Sequence, residues 1–536
     1  MANQIQPIFI LQEGTQRSTG RTVQKNNIAA ARAVAETVRT TLGPKGMDKM
    51  LVDSLGDITV TNDGFTILDK AEIEHPAAKM IVEVAKTQQD EVGDGTTTAV
   101  IIAGELLHNA EELIEQNIHP TVIAHGYLKA AEFARGALLG IAHKVTANDT
   151  NVLKKVVMTA MTGKNAEVAK EHLAEIVVEA ARLTYEEGGS PEYIKTEKRV
   201  GKSVTESRLV RGVILDKERA NPNMPSVVQN AKIALINKDL EIKKTEIDSN
   251  IEITSPEQMQ KFLDMEEQML RQMAEQVAKS GANVVFVQKG MDDAVAYFLA
   301  KKGIFAVSRV LESDMKQLAR ATGGKVTSNL KELSRDELGS AGSVIQEKVG
   351  EEDAIVVSEC KNPKAVTILV QGGTKHVLDE IDRAIEDGIG DVFAVLKNQF
   401  VVAGAGALEV ELAKDIRKFA SSLHGREQLA VEAFAKAIEV VPKTLAENAG
   451  LDPIDVLTDL RAAHQKGMKN QGIDVFSGKV VDAWKKGVIE PLKVKTQAID
   501  SAVEATNMIL RIDDMISAGK ESPKGMPQGM PPGMDM

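Results

Sequence analysis

A short glycine- and threonine-rich run combines residues that could bind a phosphorylated ligand. It reads GDGTTT at residues 93–98 and leads directly into a helical pattern that begins at Ala99. Glycines let a backbone approach a ligand closely. The first N–H groups of a helix carry about half a positive charge, which suits phosphate. The three threonine hydroxyls add donors, so the run predicts an anion site at a helix N-terminus.

Asp94 is the unusual member of this run, because a carboxylate beside phosphates is repulsive unless a cation lies between them. Mg²⁺ fits best, since it prefers a carboxylate, phosphate oxygens and retained waters as ligands. The spacing alone leaves two interpretations open, a nucleotide site and an ordinary capped helix after a glycine turn. The pattern GxxxxGK[ST] of a P-loop is absent from the sequence.

Two further loops could contribute to such a site. They read LGPKGMDK at residues 42–49 and TNDGFT at residues 61–66. Each alone is typical of a simple turn. The Asp63-Gly64 pair suggests a hairpin turn between the apolar runs at 58–60 and 66–68.

The elements that must position these loops change along the chain. Residues 27–145 and the part after 404 are rich in alanine, with apolar residues at helical spacing. Residues 213–370 instead contain short β-rich runs between helical patterns, which predicts an α/β unit. The simplest interpretation is an α+β multidomain protein, with one mainly helical domain built from both chain ends and an α/β domain inserted. Two separate helical domains would leave the same pattern.

Two helices have clear boundary signals. Asp452 and Pro453 predict a helix start, and Gly467 predicts its end. Ser255 and Pro256 begin a long pattern with a stripe of Met, Phe, Leu and Val that ends at 280–281.

Composition excludes several classes of protein. The 536 residues carry 65 Lys and Arg against 77 Asp and Glu, a net charge of −12, which disfavours nucleic acid as a main partner. No apolar stretch approaches the roughly 18 residues of a membrane helix, and no export signal begins the chain, so we expect no membrane partner and a cytoplasmic location. A single cysteine, Cys360, excludes an intramolecular disulfide and a cysteine-cluster zinc site.

Taken together, the motifs resemble one family, the group II chaperonins of archaea and the eukaryotic cytosol. The resemblance extends over nearly the whole chain and is carried by TTLGPKGMDKML at 40–51, TNDG at 61–64, HPAAKM at 75–80, GDGTTTA at 93–99, TGK at 162–164, KNPKAVT at 361–367, GID at 472–474, VIEP at 488–491 and the Gly-Met-Pro tail.

The resemblance implies an ATPase that encloses non-native polypeptides in a chamber of two stacked rings of eight subunits, closes a built-in lid on ATP hydrolysis and works with a prefoldin-like co-chaperone. It also implies a nested plan: an equatorial ATP-binding domain at 1–145 and 404–520, a hinge-like intermediate domain at 146–213 and 369–403, an apical substrate-binding domain at 214–368 with a lid protrusion at 245–275, and a flexible tail at 521–536.

The site residues carried over from the family follow its motifs. Asp94 would hold Mg²⁺, with K⁺ as a further cation, and Asp63 and Asp387 would orient the attacking water and accept its proton. At a reference pKa of about 3.9 both catalytic carboxylates are expected to be ionised at pH 7. The implied nucleotide-binding residues are Leu42, Gly43, Pro44, Gly95, Thr96, Thr97, Thr98, Lys164, Gly404, Gly406, Asp474 and Glu490.

The sequence departs from the family's pattern in three places, at Phe65, at Ala405, and at Gly388 with Gly390. An alanine at a position that needs a positive φ costs about 1–2 kcal/mol, and a glycine inside a helix costs about 1 kcal/mol. Two rival functions stay open, and the departures at Ala405 and Gly388 favour keeping the first of them. One is a passive holdase that binds ATP without productive turnover, and the other is an ATP-dependent enzyme for a small molecule, although the nine histidines are scattered and form no compact second site.

Overall fold

The structure is a computed structural model that describes residues 16–164, 169–186, 188–201, 203–242, 255–349, 352–361 and 363–517. The helices of this part of the chain are α1 (Arg21–Arg39), α2 (Gly64–Lys70), α3 (Pro76–Val92), α4 (Thr96–Glu115), α5 (Pro120–Ile141), α6 (Thr150–Met161), α7 (Lys170–Glu186), α8 (Pro256–Lys279), α9 (Asp293–Lys301), α10 (Glu312–Thr322), α11 (Lys375–Asn398), α12 (Ala407–Ala420), α13 (Arg426–Ile438), α14 (Val440–Asn448), α15 (Pro453–Gln465), α16 (Ala483–Lys486) and α17 (Leu492–Leu510).

The strands are mostly short. They are β1 (Gln16–Thr19), β2 (Lys49–Val52), β3 (Ile58–Thr61), β4 (His143–Lys144), β5 (Ile194–Val200), β6 (Arg208–Val210), β7 (Val213–Leu215), β8 (Val227–Ile236), β9 (Val284–Val287), β10 (Phe305–Val307), β11 (Val326–Thr327), β12 (Gly339–Val349), β13 (Glu352–Ser358), β14 (Val366–Gly372), β15 (Phe400–Ala403), β16 (Gln471–Asp474), β17 (Lys479–Asp482), β18 (Ile489–Pro491) and β19 (Asp514–Ser517).

The two alanine-rich parts of the sequence share one hydrophobic core. Its buried side chains come from α1 to α5 on one side of the chain and from β15, α12 to α15, β16 and α17 on the other. Alanine lets these helices pack closely, and α4 is buried along most of its length. The termini also meet directly, since β1 pairs antiparallel with β19.

A second hydrophobic core is formed by the two chain segments that precede and follow the inserted α/β sheet. It contains α6, α7, α11 and one face of the sheet in which β14 pairs with β5 and β6. The predicted domain boundary at 368 falls inside β14. Helix α11 belongs to this core, yet it also carries Asp387 toward the loops of the N-terminal part.

The middle of the chain forms a mixed sheet in the order β10-β9-β8-β12-β13-β7, with β11 also pairing with β8. The pairs among β8, β9 and β10 are parallel, and those among β12, β13 and β7 are antiparallel. The β-rich runs predicted at 231–236, 284–287 and 304–307 lie in this sheet. Two apolar clusters cover its faces.

Helix α8 is divided into two halves by burial. Ser255 caps its N-terminus and Pro256 follows at the first position, as predicted. Leu270, Ala274 and Val277 are buried in the C-terminal part, while the apolar side chains at 259–269 are exposed: Met259, Phe262, Leu263, Met265 and Met269. Of the lid protrusion predicted at 245–275, residues 245–254 lie outside the described residues.

Several helix starts use the same local device, a polar N-cap followed by proline. Asp452 accepts hydrogen bonds from the amides of Ile454 and Asp455, as its sequence predicted. His75 and His119 play the same part for α3 and α5. Proline fits because its missing N–H would have no intrahelical partner there.

The hairpin expected at Asp63-Gly64 was wrong. The hairpin is formed one step earlier, by β2 and β3. Asp63 is instead the N-cap of α2 and accepts hydrogen bonds from the amide and hydroxyl of Thr66, at 2.8 and 2.6 Å. An Asp-Gly pair serves either geometry, and here the Asp63 side chain caps a helix through the backbone three residues later.

The glycines that follow Asp387 have a packing role. A Cβ on Gly390 would stand 2.7 Å from the carbonyl oxygen of Val92, and one on Gly388 would stand 3.0 Å from Cγ1 of Val157. Helix α11 therefore lies with its backbone directly against the end of α3. The two glycines weaken the helix intrinsically, but their missing side chains permit this close approach.

We expect Gly390→Ala to lower the free energy of unfolding by about 1–3 kcal/mol, because the added methyl group forces α11 away from α3. Gly136→Ala is the matched control, since nothing lies within 4 Å of its added Cβ on α5, and it should gain about 1 kcal/mol. Thermal melting at one scan rate measures both. Equal stabilisation by the two changes would contradict the packing role of Gly390.

No helix in the part of the chain that the structure describes is both long and apolar enough to cross a membrane.

Candidate nucleotide site

One large cavity brings together the loops that the sequence singled out. Its volume is about 520 Å³. It lies where the shared helical core meets α6, α11 and the loop after α6. The predicted residues that line it are Leu42, Gly43, Pro44, Asp63, Asp94, Gly95, Thr96, Thr97, Thr98, Lys164, Asp387, Gly406, Asp474 and Glu490.

The loop between α3 and α4 forms one wall. Gly93 and Gly95 both adopt positive φ, at 80° and 78°, and a Cβ on Gly95 would collide with the side chain of Val494. The first amides of any α-helix have no intrahelical partner, and no side chain caps those of α4. The Asp94 carboxylate accepts a hydrogen bond from the Gly95 amide at 2.6 Å. This wall therefore offers backbone donors and one carboxylate to a ligand.

The second and third loops pack directly on the first. Gly64 has no room for a side chain because the Thr97 hydroxyl lies against it. Gly163, at φ 84°, has its α-carbon side against Pro44, where a Cβ would come within 2.6 Å. These close approaches fix Asp63 and Lys164 at the mouth of the first helical turn.

Lys164 and Asp387 form a buried ion pair across the cavity, and their side chains are 17% and 10% exposed. Burial lowers the pKa of Lys164, but the charges of Asp387, Asp94 and Asp63 raise it, and the net shift is upward. The lysine therefore stays protonated as the cation of an acidic pocket.

The protonation state expected for Asp387 needs correction. Burial raises the pKa of its carboxyl, and the charges of Asp94 and Asp63 add to this effect, so that it reaches about 7 despite the opposing charge of Lys164. The reference value of about 3.9 assumes a solvated group. Asp387 is 7% exposed, so at pH 7 it is divided between its neutral and ionised forms.

The opposite wall is built around residues 404–406. The Ile473 amide donates to the carbonyl of Ala405 at 2.9 Å, which ties β16 to this loop. Gly404 does not line the cavity itself. Its missing side chain leaves room for the carboxyl of Glu490, which contacts it.

Asp474 and Glu490, both on this wall, differ in their partners and in the direction of their pKa shifts. Asp474 accepts hydrogen bonds from the amides of Phe476 and Ser477 and from the Ser477 hydroxyl. Burial alone would raise the pKa of Asp474, but these bonds lower it overall. Glu490 pairs with Lys495, which also contacts Glu409 at 2.9 Å. Burial raises the pKa of Glu490, and the nearby charge of Glu409 adds to this despite Lys495.

Ala405 adopts φ 57°, in the left-handed region where alanine is strained. We expect Ala405→Gly to raise the free energy of unfolding by about 0.5–1 kcal/mol. The change relieves about 1–2 kcal/mol of strain, less the greater freedom of glycine in the unfolded chain. Ala413→Gly, in the middle of α12, is the control and should destabilise by about 1 kcal/mol. Thermal melting decides, and a lower melting temperature for Ala405→Gly would contradict the strain.

The sequence missed three charged residues of this region: Asp391, Glu409 and Lys495. Asp391 and Lys495 line the cavity. The one available signal was that Asp391 follows Asp387 by four residues on a helix, which puts both on one face. Nothing in the spacing indicated Glu409 or Lys495, which converge through α12 and α17.

The acidic side chains of the cavity do not form a ready-made metal cage. Among the residues that the structure describes, no group of three His, Cys, Asp or Glu side chains is arranged to hold a metal ion. Mg²⁺ bound with a nucleotide takes one or two carboxylates together with phosphates and waters, and the cavity lining supplies Asp94 at the start of α4.

Comparisons with known proteins agree with this architecture. Residues 34–520 match the model of the TCP-1/cpn60 chaperonin family. The thermosome subunit beta of Methanothermobacter thermautotrophicus is 59% identical over 529 residues, which cover 98% of each chain. The thermosome subunit beta of Archaeoglobus fulgidus is 58% identical over 97% of this chain and 96% of the relative.

A solved structure supports the same relation. The open-state monomer of a group II chaperonin from Methanococcoides burtonii aligns with a TM-score of 0.59 and 46% identity, over 78% of this chain and 100% of that one.

The chain belongs to the TCP-1/cpn60 chaperonin family. Within it, the chain is a group II chaperonin of the archaeal type, an ATP-dependent chaperonin and ATPase that acts in protein folding. Nucleotide binding, ring assembly and binding of polypeptide substrates follow from the family. The prediction of the family and of the fold class is confirmed.

Proposed function

We propose that the cavity binds ATP with Mg²⁺ and that its hydrolysis closes a chamber over non-native polypeptides. The observation that carries the proposal is the meeting of three parts of the chain at one cavity: the α4 N-terminus, the loop of Lys164, and Asp387 on α11. A ligand in this position touches elements of two different cores. Its binding and loss can therefore change how those cores sit together.

The phosphates are held mainly by the first turn of α4. The amides and hydroxyls of Thr96, Thr97 and Thr98 supply donors, and Gly95 allows the backbone to come close. Leu42, Gly43 and Pro44 cover the other side of the nucleotide. These residue types make few demands on side-chain charge, since the helix terminus supplies the positive potential.

The opposite wall receives the nucleoside. Gly406, with Gly404 behind it, keeps the backbone close to the base, while Asp474 and Glu490 lie where the ribose and adenine would be bound. Asp94 would hold Mg²⁺, which would neutralise phosphate charge, and K⁺ would be a further cation of the site.

Asp63 and Asp387 act on the attacking water. Hydrolysis of a phosphoanhydride needs mainly positioning and charge neutralisation. When Lys164 turns from Asp387 to the γ-phosphate, the Asp387 carboxylate is released to orient the water and accept its proton. Burial raises the pKa of Asp387, and a carboxyl with a raised pKa is a better proton acceptor than an ordinary one.

Closure then follows from the division of the chain that the sequence suggested: equatorial 1–145 and 404–520, intermediate 146–213 and 369–403, apical 214–368. Moving an equilibrium from 1:99 to 99:1 takes about 5.5 kcal/mol of differential binding. New contacts of Lys164 and Asp387 in each subunit contribute part of it. The predicted lid protrusion at 245–275, to which the exposed apolar part of α8 belongs, forms the lid.

We also propose that the subunits form two stacked rings of eight, that a prefoldin-like protein delivers substrates, and that the protein works in the cytoplasm. The single cysteine fits a reducing compartment, since Cys360 is free and buried.

Refolding of a chemically denatured test enzyme separates this function from a passive holdase. The assembled protein with Mg-ATP should release active enzyme, while a non-hydrolysable ATP analogue should leave it captured. Particle mass and shape, measured with and without Mg-ATP, should show a large ring that closes on hydrolysis. Equal recovery with ATP and the analogue would contradict the proposal.

A further inference from the structure

Asp391 is a buried carboxyl of the cavity that no role described above uses. It lies one turn after Asp387 on α11 and lines the same cavity. Its side chain belongs to a residue that is 2% exposed. Its Oδ1 atom is buried and has no hydrogen-bond partner among the described residues. A buried polar atom without a partner is unfavourable unless a ligand satisfies it.

The glycine before it explains how the carboxyl comes to be there. Gly390 lets the backbone of α11 lie against the end of α3, with a hypothetical Cβ 3.4 Å from the Cα of Gly93. The following residue is thereby brought beside the loop that carries Asp94. The departure at Gly390 and the presence of Asp391 are thus two parts of one local arrangement.

The surroundings of Asp391 are acidic from each element that faces it. Burial raises the pKa of its carboxyl well above the ordinary range, and the charges of Asp94, Asp387 and Glu490 add to this, while Lys164 opposes them. Lys164 is already paired with Asp387. Asp391 therefore lies among other carboxyl groups, and its Oδ1 atom has no donor among the described residues; water molecules held by a cation would supply one.

We propose that Asp391 is a binding group for the hydrated divalent cation that accompanies the nucleotide, and that it accepts hydrogen bonds from waters of the ion held by Asp94. This inference rests on the proposed function. Contact through water fits the absence of a three-ligand cage among the described residues, because Mg²⁺ keeps several waters in protein sites. Such outer partners orient the ion and raise its affinity.

The test is a Mg²⁺ titration of ADP binding, followed by calorimetry on the assembled protein. Asp391→Asn keeps the size of the side chain and replaces one oxygen that would accept a hydrogen bond from a metal-bound water by an NH₂ group that donates. We expect the Mg²⁺ concentration at half-saturation to rise about 10-fold, the range seen when outer partners of metal sites are changed. ADP affinity in EDTA should change less than 2-fold.

Asp379→Asn is the matched control, since Asp379 lies on the same helix, pairs with Lys198 at 2.9 Å and does not line the cavity. Its Mg²⁺ titration should equal that of the unchanged protein. Particle size and melting temperature check that each variant folds and assembles. Asp391→Ser serves as a second variant in case the asparagine does not assemble, with the same expected shift.

The outcomes distinguish this inference from the function on which it rests. If the unchanged protein does not bind ADP with Mg²⁺, the proposed function fails. If it does, and Asp391→Asn and Asp391→Ser both titrate with Mg²⁺ as the unchanged protein does, only the role of Asp391 is wrong. If Asp391→Asn changed the dependence of ADP binding on K⁺ concentration but not on Mg²⁺ concentration, the proposed role of Asp391 would also be wrong.

Discussion

Replacing Asp387 by asparagine should lower the turnover number of ATP hydrolysis by about 100-fold or more, the usual contribution of a positioned base. The affinity for ATP should change only a few-fold, because in the proposed site the phosphates are held by the first turn of α4 and not by α11. Asparagine keeps the size of the side chain, but its amide cannot accept a proton from water. Single-turnover hydrolysis and equilibrium binding of ATP measure the two effects separately.

The pH dependence gives a second readout of the same residue. A carboxyl with a pKa raised to about 7 is ionised only as the pH passes that value. We therefore expect kcat/KM to rise between about pH 6 and 8, since this ratio reports the groups of the free protein. The rise should be lost in Asp387→Asn. Asp379 precedes Asp387 on the same helix and lies outside the cavity. Asp379→Asn should therefore keep both the turnover number and the pH profile of the unchanged protein. Unchanged turnover in Asp387→Asn would rule out its role as the base.

The raised pKa also has a consequence for stability. A carboxyl with a higher pKa in the folded than in the unfolded chain favours folding most while it is protonated. Its contribution is present below the unfolded value of about 3.9 and declines as the pH rises through about 7. Burial of Asp387 therefore lowers the free energy of unfolding at alkaline pH, and an asparagine at this position would not cause that loss.

The second large effect is expected for Asp94→Asn. Asp94 is the carboxylate at the start of the α4 turn, and its loss removes the charge that would hold Mg²⁺. Changes in outer partners of metal sites already cost about 10–100-fold in affinity, so loss of the ligand itself should weaken Mg²⁺-dependent ATP binding by at least about 100-fold. Binding in EDTA should not weaken, because the carboxylate then only repels the phosphates.

Asp90→Asn is the matched control for this change. Asp90 is exposed on the last turns of α3 and does not line the cavity. Its nucleotide affinity should match that of the unchanged protein with Mg²⁺ and in EDTA. Calorimetric titration with ATP under both conditions is the measurement. Equal loss of affinity in EDTA and in Mg²⁺ would mean that Asp94 shapes the loop and does not hold the ion.

Much of the local structure could be predicted from residue types at short range. Ser255 with Pro256, and Asp452 with Pro453, begin helices where their capping chemistry requires. The run at 93–98 leads into a helix N-terminus, because glycine turns and uncapped amides are properties of a few adjacent residues. The family resemblance rested on the same short motifs and is confirmed.

The Asp63-Gly64 turn shows where short-range reasoning stops. Its residues suit both a hairpin and a helix cap. The outcome depends on β2, which pairs with β3 and leaves Asp63 at the start of α2. From the sequence, strain at Ala405 could be predicted only if its φ were positive. The structure gives a φ of 57°, in a loop whose Ala405 carbonyl accepts a hydrogen bond from Ile473 of β16.

The sequence by itself determined the family, the helical texture of both chain ends and the loops that line the cavity, since each depends on neighbours within a few residues. Tertiary structure alone decided the chemistry of the site. Burial of Asp387 and the charges of Asp94 and Asp63 raise its pKa although Lys164 opposes them, and the close approach at Gly390 brings Asp391 beside the loop of Asp94. Both effects arise from groups about 220 to 320 residues apart in the chain, and electrostatic energies depend on spatial distance and on exclusion of water.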